Sequence, residues 1–502
     1  MSSKVMLMSS LRSPRIFTST SGAQSMGKAR VKRHCSGVSG GIGLPVAAIA
    51  PCGANPIAMS AVSQSIRAAT DWPLGVSFGG IGSAQFVWPS DPAGSGMAAS
   101  QWLAGRRSDR IPHPEQTSKS RPPLSIEFLG KRLSGAYTIP SGIVATAVPI
   151  IDYLFRQVPE VGVMTTKSIG PEPRPGYREP VYSQYAPGCF VNAVGLTNPG
   201  AERSAELFAE LEVPEDRFLL TSIFGGSIDE FVQVARLLAP YSDGLELNLS
   251  CPHAQGYGMA MGQDPEMVRD ITAAVKAAVD VPVVPKLTPN AENIGEIAEA
   301  AVAGGADALC AINTVGPGYY TAHGAPVLSN ELGGMSGKGV LPIGLKCVRE
   351  IAGRTEVPII GCGGASSADD VRAYRDAGAS IVGIGSALTG LTTEEIETYF
   401  QRLHADVDAG ANEPATDAGS LVRYDVDMSF RPVELVENIR VCDDICILRF
   451  DRPIEIEAGE FVFLWVPGIG EKPFSALTDD PFSLVVISVG EFTAKMMELT
   501  PG

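Results

Sequence analysis

The chain has 502 residues, 45% of them apolar and 19% charged, a balance that excludes wholesale disorder and a length that calls for two to four units of about 100–250 residues. Its net charge of −16 is unevenly held: residues 1–120 carry 12 Lys and Arg against 4 Asp and Glu, whereas the remaining 382 carry 27 against 51. A body this acidic, with no local basic patch, repels nucleic acid and anionic membrane, and no apolar run of roughly 18 residues or more marks a membrane span.

Residues 1–120 are rich in Ser, Gly, Pro and Ala and sustain neither a 2-residue nor a 3.6-residue period, which predicts a disordered, low-complexity extension. The first 30 residues are basic and Ser-rich but lack the bounded apolar core and cleavage site of a secretory signal. From about 121 short apolar runs alternate with amphipathic stretches. The runs lie at 134–143, 161–168, 218–225, 244–251, 282–288, 308–315, 358–364 and 381–388. Helical patterns fall between most of them, as at 265–279, 291–303, 342–353 and 367–377. Near-continuous apolar strands separated by helices imply a parallel sheet covered on its outer face. Eight such strands across residues 121–404 predict an α/β fold, a (β/α)8 barrel.

Residues 405–428 read as an acidic linker containing Pro and Gly. After it, 429–502 alternates with period 2 and predicts a small antiparallel β-barrel, cut short after a helical T-A-K-M-M-E-L segment. Nine cysteines are scattered through apolar runs, the pattern of reduced thiols in a cytoplasmic protein. None has zinc-site spacing, and Cys442 and Cys446 are expected to be buried small apolar residues.

Chemistry in such a barrel sits at the carboxyl ends of the strands, and there the sequence places polar or glycyl residues. They are Ser141, Lys167, Ser168, Ser222, Asn248, Cys251, Lys286, Asn313, Thr314, Gly363, Gly364, Gly385 and Ser386. Glycine turns after the seventh and eighth strands suit a phosphate, which backbone N–H groups can cradle. Lys167 and Lys286 close apolar strands, where an ammonium needs an anionic partner. Asn192, Asn198, Asn248 and Asn313 both donate and accept, as a flat imide-bearing ring requires. Cys251, in N-L-S-C-P, is the candidate acid–base group, since a thiol titrates at about pH 8.5.

These motifs are recognisable together. T-T-K-S (165–168), N-A-V-G-L-T-N-P-G (192–200), E-L-N-L-S-C-P-H (246–253), G-Q-D-P (262–265), K-L-T-P-N (286–290) and I-N-T (312–314) occur in order. They are followed by G-G-M-S-G (333–337), I-I-G-C-G-G (359–364) and G-I-G-S-A (383–387). In this set residues 124–404 resemble the NAD-linked class-1 dihydroorotate dehydrogenases.

The resemblance implies oxidation of (S)-dihydroorotate to orotate for pyrimidine (UMP) biosynthesis, with a hydride passing from C6 to FMN and Cys251 removing the C5 proton. It places the substrate on Lys167, Asn192, Ala193, Val194, Gly195, Leu196, Asn248, Asn313 and Thr314. It places FMN on Ser141, Lys167, Ser168, Ser222, Asn248, Lys286, Ile312, Gly337, Gly363, Gly364, Gly385 and Ser386. Ser222 stands where many members carry a flavin-contacting asparagine, and its hydroxyl can still hydrogen-bond. His253 replaces an asparagine; S-C-P-H also occurs in dihydropyrimidine dehydrogenases, so reduction of uracil or thymine is the alternative reaction. A non-catalytic flavin-binding scaffold is a third reading. Residues 429–502 are similar to the start of the family's FAD-binding electron-transfer subunit, with Lys472, Pro473, Phe474 and Ser475 at its R-P-x-S motif. The iron–sulfur cluster is expected only on a missing or separate module. The resemblance further implies a barrel homodimer and an electron-transfer partner.

Overall fold

The computed structural model describes residues 5–8, 125–144, 147–249, 258–409, 427–456 and 460–501. These fall into two compact units, one within Ser77–Met428 and one made of Ser429–Gly502 with N-terminal residues.

The larger unit is built on eight short strands: β1 (Tyr137–Ile139), β2 (Val161–Thr165), β3 (Phe218–Ile223), β4 (Gly244–Asn248), β5 (Val283–Leu287), β6 (Leu309–Ala311), β7 (Ile359–Cys362) and β8 (Ile381–Gly383). All pair in parallel with their chain neighbours, and β8 returns to β1 to close the barrel. Each is followed by a helix: α1 (Val148–Gln157), α2 (Ala201–Phe208), α3 (Ile228–Leu238), α4 (Pro265–Lys276), α5 (Ile294–Ala303), α6 (Leu341–Ala352), α7 (Ala368–Asp376) and α8 (Thr393–Ala409). The (β/α)8 architecture is therefore as the apolar runs imply. The last helix continues through Ala409, five residues into the stretch read as linker.

Local chemistry sets where the helices begin. Ser227, Asp264 and Asn293 accept from backbone N–H groups in the first turns of α3, α4 and α5, filling donors that a helix start leaves unpaired. Side chains alternate along each strand, so Leu245 and Leu247 of β4 pack toward the helices while Glu246 and Asn248 face the barrel axis. The interior is filled by Val163, Leu220, Val284, Cys310, Ile360 and Ile381. An antiparallel hairpin, Ile126–Phe128 with Lys131–Leu133, lays Phe128 against Phe218 and closes the amino-terminal end.

Barrel closure leaves almost no room where β1 and β2 begin. A Cβ at Gly162 would stand 2.1 Å from the carbonyl oxygen of Gly135. Gly162→Ala is accordingly expected to destabilise the barrel by at least 1–3 kcal/mol, on the order of other overpacked cores. The check is the thermal midpoint of its unfolding transition, and an unchanged midpoint would contradict the contact.

A second, antiparallel sheet grows from the loops after β2 and β6. Its strands run in the order Val315–Tyr319, Leu332–Gly337, Cys189–Asn192, Tyr182–Ala186. The sequence reading did not anticipate it.

The smaller unit contains two four-stranded antiparallel sheets around one core that includes Leu435, Leu448, Leu464 and Phe482. The period-2 pattern accounts for its antiparallel strands, and the partial barrel it predicts takes the form of two sheets around that core. Two expectations are corrected here. Val5–Met8, assigned to an unstructured extension, is a fully buried strand between Phe430–Val433 and Val462–Val466. A lone four-residue V-M-L-M run is too short to register as a period, and its partners lie over 400 residues away. Cys446 is buried, and burial pushes its thiol up to about 11, but Cys442 is exposed. A register shift between Arg440 and Cys442, at the hairpin end, turns the second thiol outward.

Candidate active site

The carboxyl ends of the barrel strands and the second sheet enclose a cavity of about 520 Å³, within the range of small-molecule sites. Ser141, Lys167, Ser168, Asn192–Leu196, Asn248, Lys286, Asn313, Thr314 and Ser386 line it, as the sequence placed them. Cys251 and His253 lie outside the described residues. Leu249 is buried immediately before them, and a Cβ on Gly262 would meet the Leu249 carbonyl oxygen at 2.7 Å. Leu249 and Gly262, which stand on either side of that segment in the chain, therefore come together at the end of β4, beside Asn248.

A hydrogen-bonded chain crosses the floor. Ser141 Oγ and Ser168 Oγ are 3.1 Å apart, and Ser168 and Ser222 hydroxyls 2.9 Å. Asn248 Nδ2 donates to Ser168 Oγ at 3.0 Å, and Asn313 Nδ2 donates to Asn248 Oδ1 at 3.1 Å. The Thr314 backbone N–H ends the chain on Asn313 Oδ1 at 2.9 Å. Ser222 is wholly buried and does not reach the cavity wall; its hydroxyl meets Ser168 instead. Asn198 also stays out of the cavity. Its Oδ1 accepts from Gly170 and Gly200 N–H, and its Nδ2 donates to the Leu196 carbonyl, so it clamps the loop whose 192–196 stretch lines the site.

The two lysines differ in kind. Lys286 Nζ lies 3.6 Å from Glu246 Oε1, and both side chains are buried in the barrel. Burial alone would push its ammonium down, but the Glu246 carboxylate, helped by Cys310 and Cys362, carries it above the ordinary lysine range. Cys310 and Cys362 face each other across β6 and β7 with sulfurs 3.9 Å apart. Lys167 has no ion-pair partner among the described residues, and burial pushes its ammonium down to about 8. The cavity thus holds a buried ammonium that has no ion-pair partner among the described residues.

The glycine turns meet beside this floor, though Gly337, Gly363, Gly364, Gly385 and Ile312 are not part of the cavity wall itself. Gly337 and Gly364 have φ of +90° and +77°, and a Cβ on Gly364 would stand 2.6 Å from the Gly337 carbonyl oxygen. Tyr374 Oη donates to the Gly363 carbonyl at 2.7 Å. Asp370 fixes the turn: it accepts from Lys338 Nζ at 2.7 Å and from Ser366 N, Ser366 Oγ and Ser367 N at 3.0 Å. Burial works to raise its carboxyl, but these donors outweigh burial and hold it below its ordinary value. Because the folded-state value is depressed, the stability it supplies is complete above the ordinary carboxylate range and lost as pH falls through the lowered value. Asp370→Asn is expected to cost about 2–3 kcal/mol near neutral pH. In thermal unfolding followed against pH, the gap to the unsubstituted protein should close in acid.

Several lining residues escaped the sequence reading, among them Tyr177, Tyr182, Asn290 and Thr389. Tyr182 Oη and Thr389 Oγ1 are 2.9 Å apart, and the Tyr182 ring stacks on Phe190. Glu246 was legible: it lies two positions before Asn248, hence on the same face of β4.

In the second unit, Lys472, Pro473 and Phe474 lie on the strand Gly470–Phe474, and Ser475 follows it. Lys472 is half-buried, and Pro473 and Ser475 are exposed.

An eight-stranded parallel barrel with polar strand ends, a glycine-turn cluster and a buried ammonium that has no ion-pair partner among the described residues is the framework of a barrel enzyme. The family model for dihydroorotate dehydrogenase matches residues 123–403, and the chain belongs to that family. It is similar to proteins named dihydroorotate dehydrogenase B (NAD(+)), catalytic subunit, from three archaea. The one from Pyrococcus horikoshii is 41% identical over 269 residues, 53% of this chain and 86% of the relative. That from Methanocaldococcus jannaschii is 45% identical over 234 residues, 45% of this chain and 75% of the relative. That from Methanocella arvoryzae is 47% identical over 241 residues, 47% and 77%.

Proposed function

We propose that this chain oxidises dihydroorotate to orotate in pyrimidine biosynthesis, as an FMN-dependent oxidoreductase. Family membership supports the reaction, and the names of the relatives do not favour the uracil or thymine alternative. The observation that carries the site is Lys167: a buried ammonium without a partner among the described residues, at the mouth of a cavity otherwise lined by amides and hydroxyls.

These residues fit FMN by the chemistry of their donors. Lys286 offers a second cation, Asn248, Asn313 and Ser168 offer a hydrogen-bonding edge for a flat ring, and the positive-φ glycines at 337, 363 and 364 free backbone N–H groups for a phosphate. Bound there, FMN would supply a two-electron acceptor for a hydride. The protein's own work is positioning and proton transfer. Asn192, Asn313 and Thr314 orient the substrate ring, Lys167 pairs with its carboxylate, and the Cys251 thiolate takes the C5 proton. The backbone at 193–196 completes the wall of the substrate slot.

Electrons then leave the barrel. We assign that step to an electron-transfer partner, with FAD at Lys472–Ser475 of the second unit and an iron–sulfur cluster on a separate module, on the strength of the K-P-F-S motif. A barrel homodimer and cytoplasmic location complete the reading. The cysteines of the described residues are all free, and among those residues no helix is long and apolar enough to cross a membrane.

Anaerobic addition of dihydroorotate to the flavin-loaded chain is expected to bleach the flavin absorbance. A loaded protein that stays yellow with dihydroorotate would overturn the assignment.

A further inference from the structure

Glu246 has no role in the reaction as described so far, yet among the described residues it is the one acidic side chain facing the barrel interior beside the cavity floor. It lies on β4, two residues before Asn248, and the register sets Asn248 level with Lys286 on β5. Glu246 is therefore one inward layer deeper than the lysine. It is 1% exposed and absent from the cavity wall, whereas Lys286 reaches that wall. Its Oε1 lies 3.6 Å from Lys286 Nζ and has no hydrogen-bond partner. The other titratable groups facing Lys286 are Cys310 on β6 and Cys362 on β7.

We propose that Glu246 is a positioning residue that keeps Lys286 protonated whether the ring held above it is oxidised or reduced, so that the lysine presents a fixed positive charge to the cofactor. The inference rests on the reading that the cavity holds FMN. Its physical basis is the contrast between the two lysines. A buried ammonium without a carboxylate loses its proton readily, as Lys167 does near pH 8. With Glu246 against it, Lys286 keeps the proton. Reduction places negative charge on the ring, and a lysine already charged in the oxidised state needs no additional proton to meet it. Without Glu246, Lys286 would be neutral against the oxidised ring above about pH 8, as burial makes Lys167, and would gain a proton on reduction. Electron transfer would then be coupled to one more proton from solvent.

The test uses the full chain loaded with FMN. The flavin spectrum is recorded first: a chain that binds no FMN defeats the cofactor reading, not this one. With flavin bound, the midpoint potential is measured against pH for the unsubstituted protein and for Glu246→Gln. The variant is expected to show a steeper line above about pH 8, the value that burial gives Lys167, by one proton per two electrons. Glu246→Asp, which keeps the charge, is expected to restore the original slope. A Glu246→Gln line parallel to the original, at whatever height, overturns the proposal, because a merely structural carboxylate would not alter proton uptake. Should Glu246→Gln fail to fold, the unsubstituted protein still decides. In 15N-lysine NMR, the side-chain signal that moves on flavin reduction should remain that of an ammonium at about pH 9.5, well above the value that burial gives Lys167. A neutral amine at that pH overturns the proposal equally.

Discussion

Cys251→Ser is expected to leave FMN bound while flavin reduction by dihydroorotate slows by a factor on the order of 10²–10⁴, the usual worth of a positioned acid–base group. The thiol sits three residues after Asn248, so its Cα lies no more than about 11 Å along the chain from that of a residue that lines the cavity. Leu249 and Gly262 hold both ends of the segment at the strand end. A serine hydroxyl occupies nearly the same space but remains protonated at neutral pH, where an ordinary thiol of pKa about 8.5 is already partly thiolate. Ser141, Ser168, Asn248 and Asn313 are tied together by hydrogen bonds among their own side chains, so cofactor affinity should hold. Stopped-flow measurement of flavin bleaching under anaerobic conditions reads the loss. Equal rates in the two proteins would remove Cys251 from the mechanism. A parallel fall in flavin content would move the cysteine into the cradle.

The barrel was legible because each of its strands is an apolar run bounded by polar or glycyl residues, and burial on both faces forces that pattern. Strand ends were legible for the same reason, since a polar residue at the end of such a run must face either the mouth or solvent. The roof sheet was not. Its strands V-G-P-G-Y and L-G-G-M-S-G are rich in glycine and half exposed, and the second of them pairs with residues 189–192 across more than 140 positions. No local period can encode such a pairing. Ser222 shows another limit: its position on the inner face was readable, but that its hydroxyl would be spent on Ser168 depends on the distance between two strands. Glu246 was visible in G-L-E-L-N-L as a charge in a buried strand, yet its meaning emerged only once Lys286 stood 3.6 Å away.

Lys167→Met should separate stability from function most sharply. The ammonium has an ordinary value of 10.5 and is pushed by burial down to about 8 in the ligand-free fold. Between those two values the unfolded chain binds more protons than the folded one, so stability rises with pH across that window. Below about pH 8 the penalty is complete and constant, roughly 3 kcal/mol at about 1.4 kcal/mol per unit. Methionine fills the same volume without charge, and the ligand-free variant should therefore melt higher at neutral pH and lose the rise in stability between pH 8 and 10.5. Orotate binding should move the opposite way. Removing the cation that pairs with its carboxylate in a desolvated wall costs about 2–5 kcal/mol, a loss on the order of 10²-fold or more in affinity. In the unsubstituted protein that affinity should be greatest while Lys167 is charged and fall as pH rises through about 8, whereas the variant should show no such fall. Calorimetric titration with orotate across this range reads both features. A variant that melts higher yet binds orotate as tightly as before would show that the carboxylate is held elsewhere, and the unpaired ammonium would then have to answer to the cofactor alone.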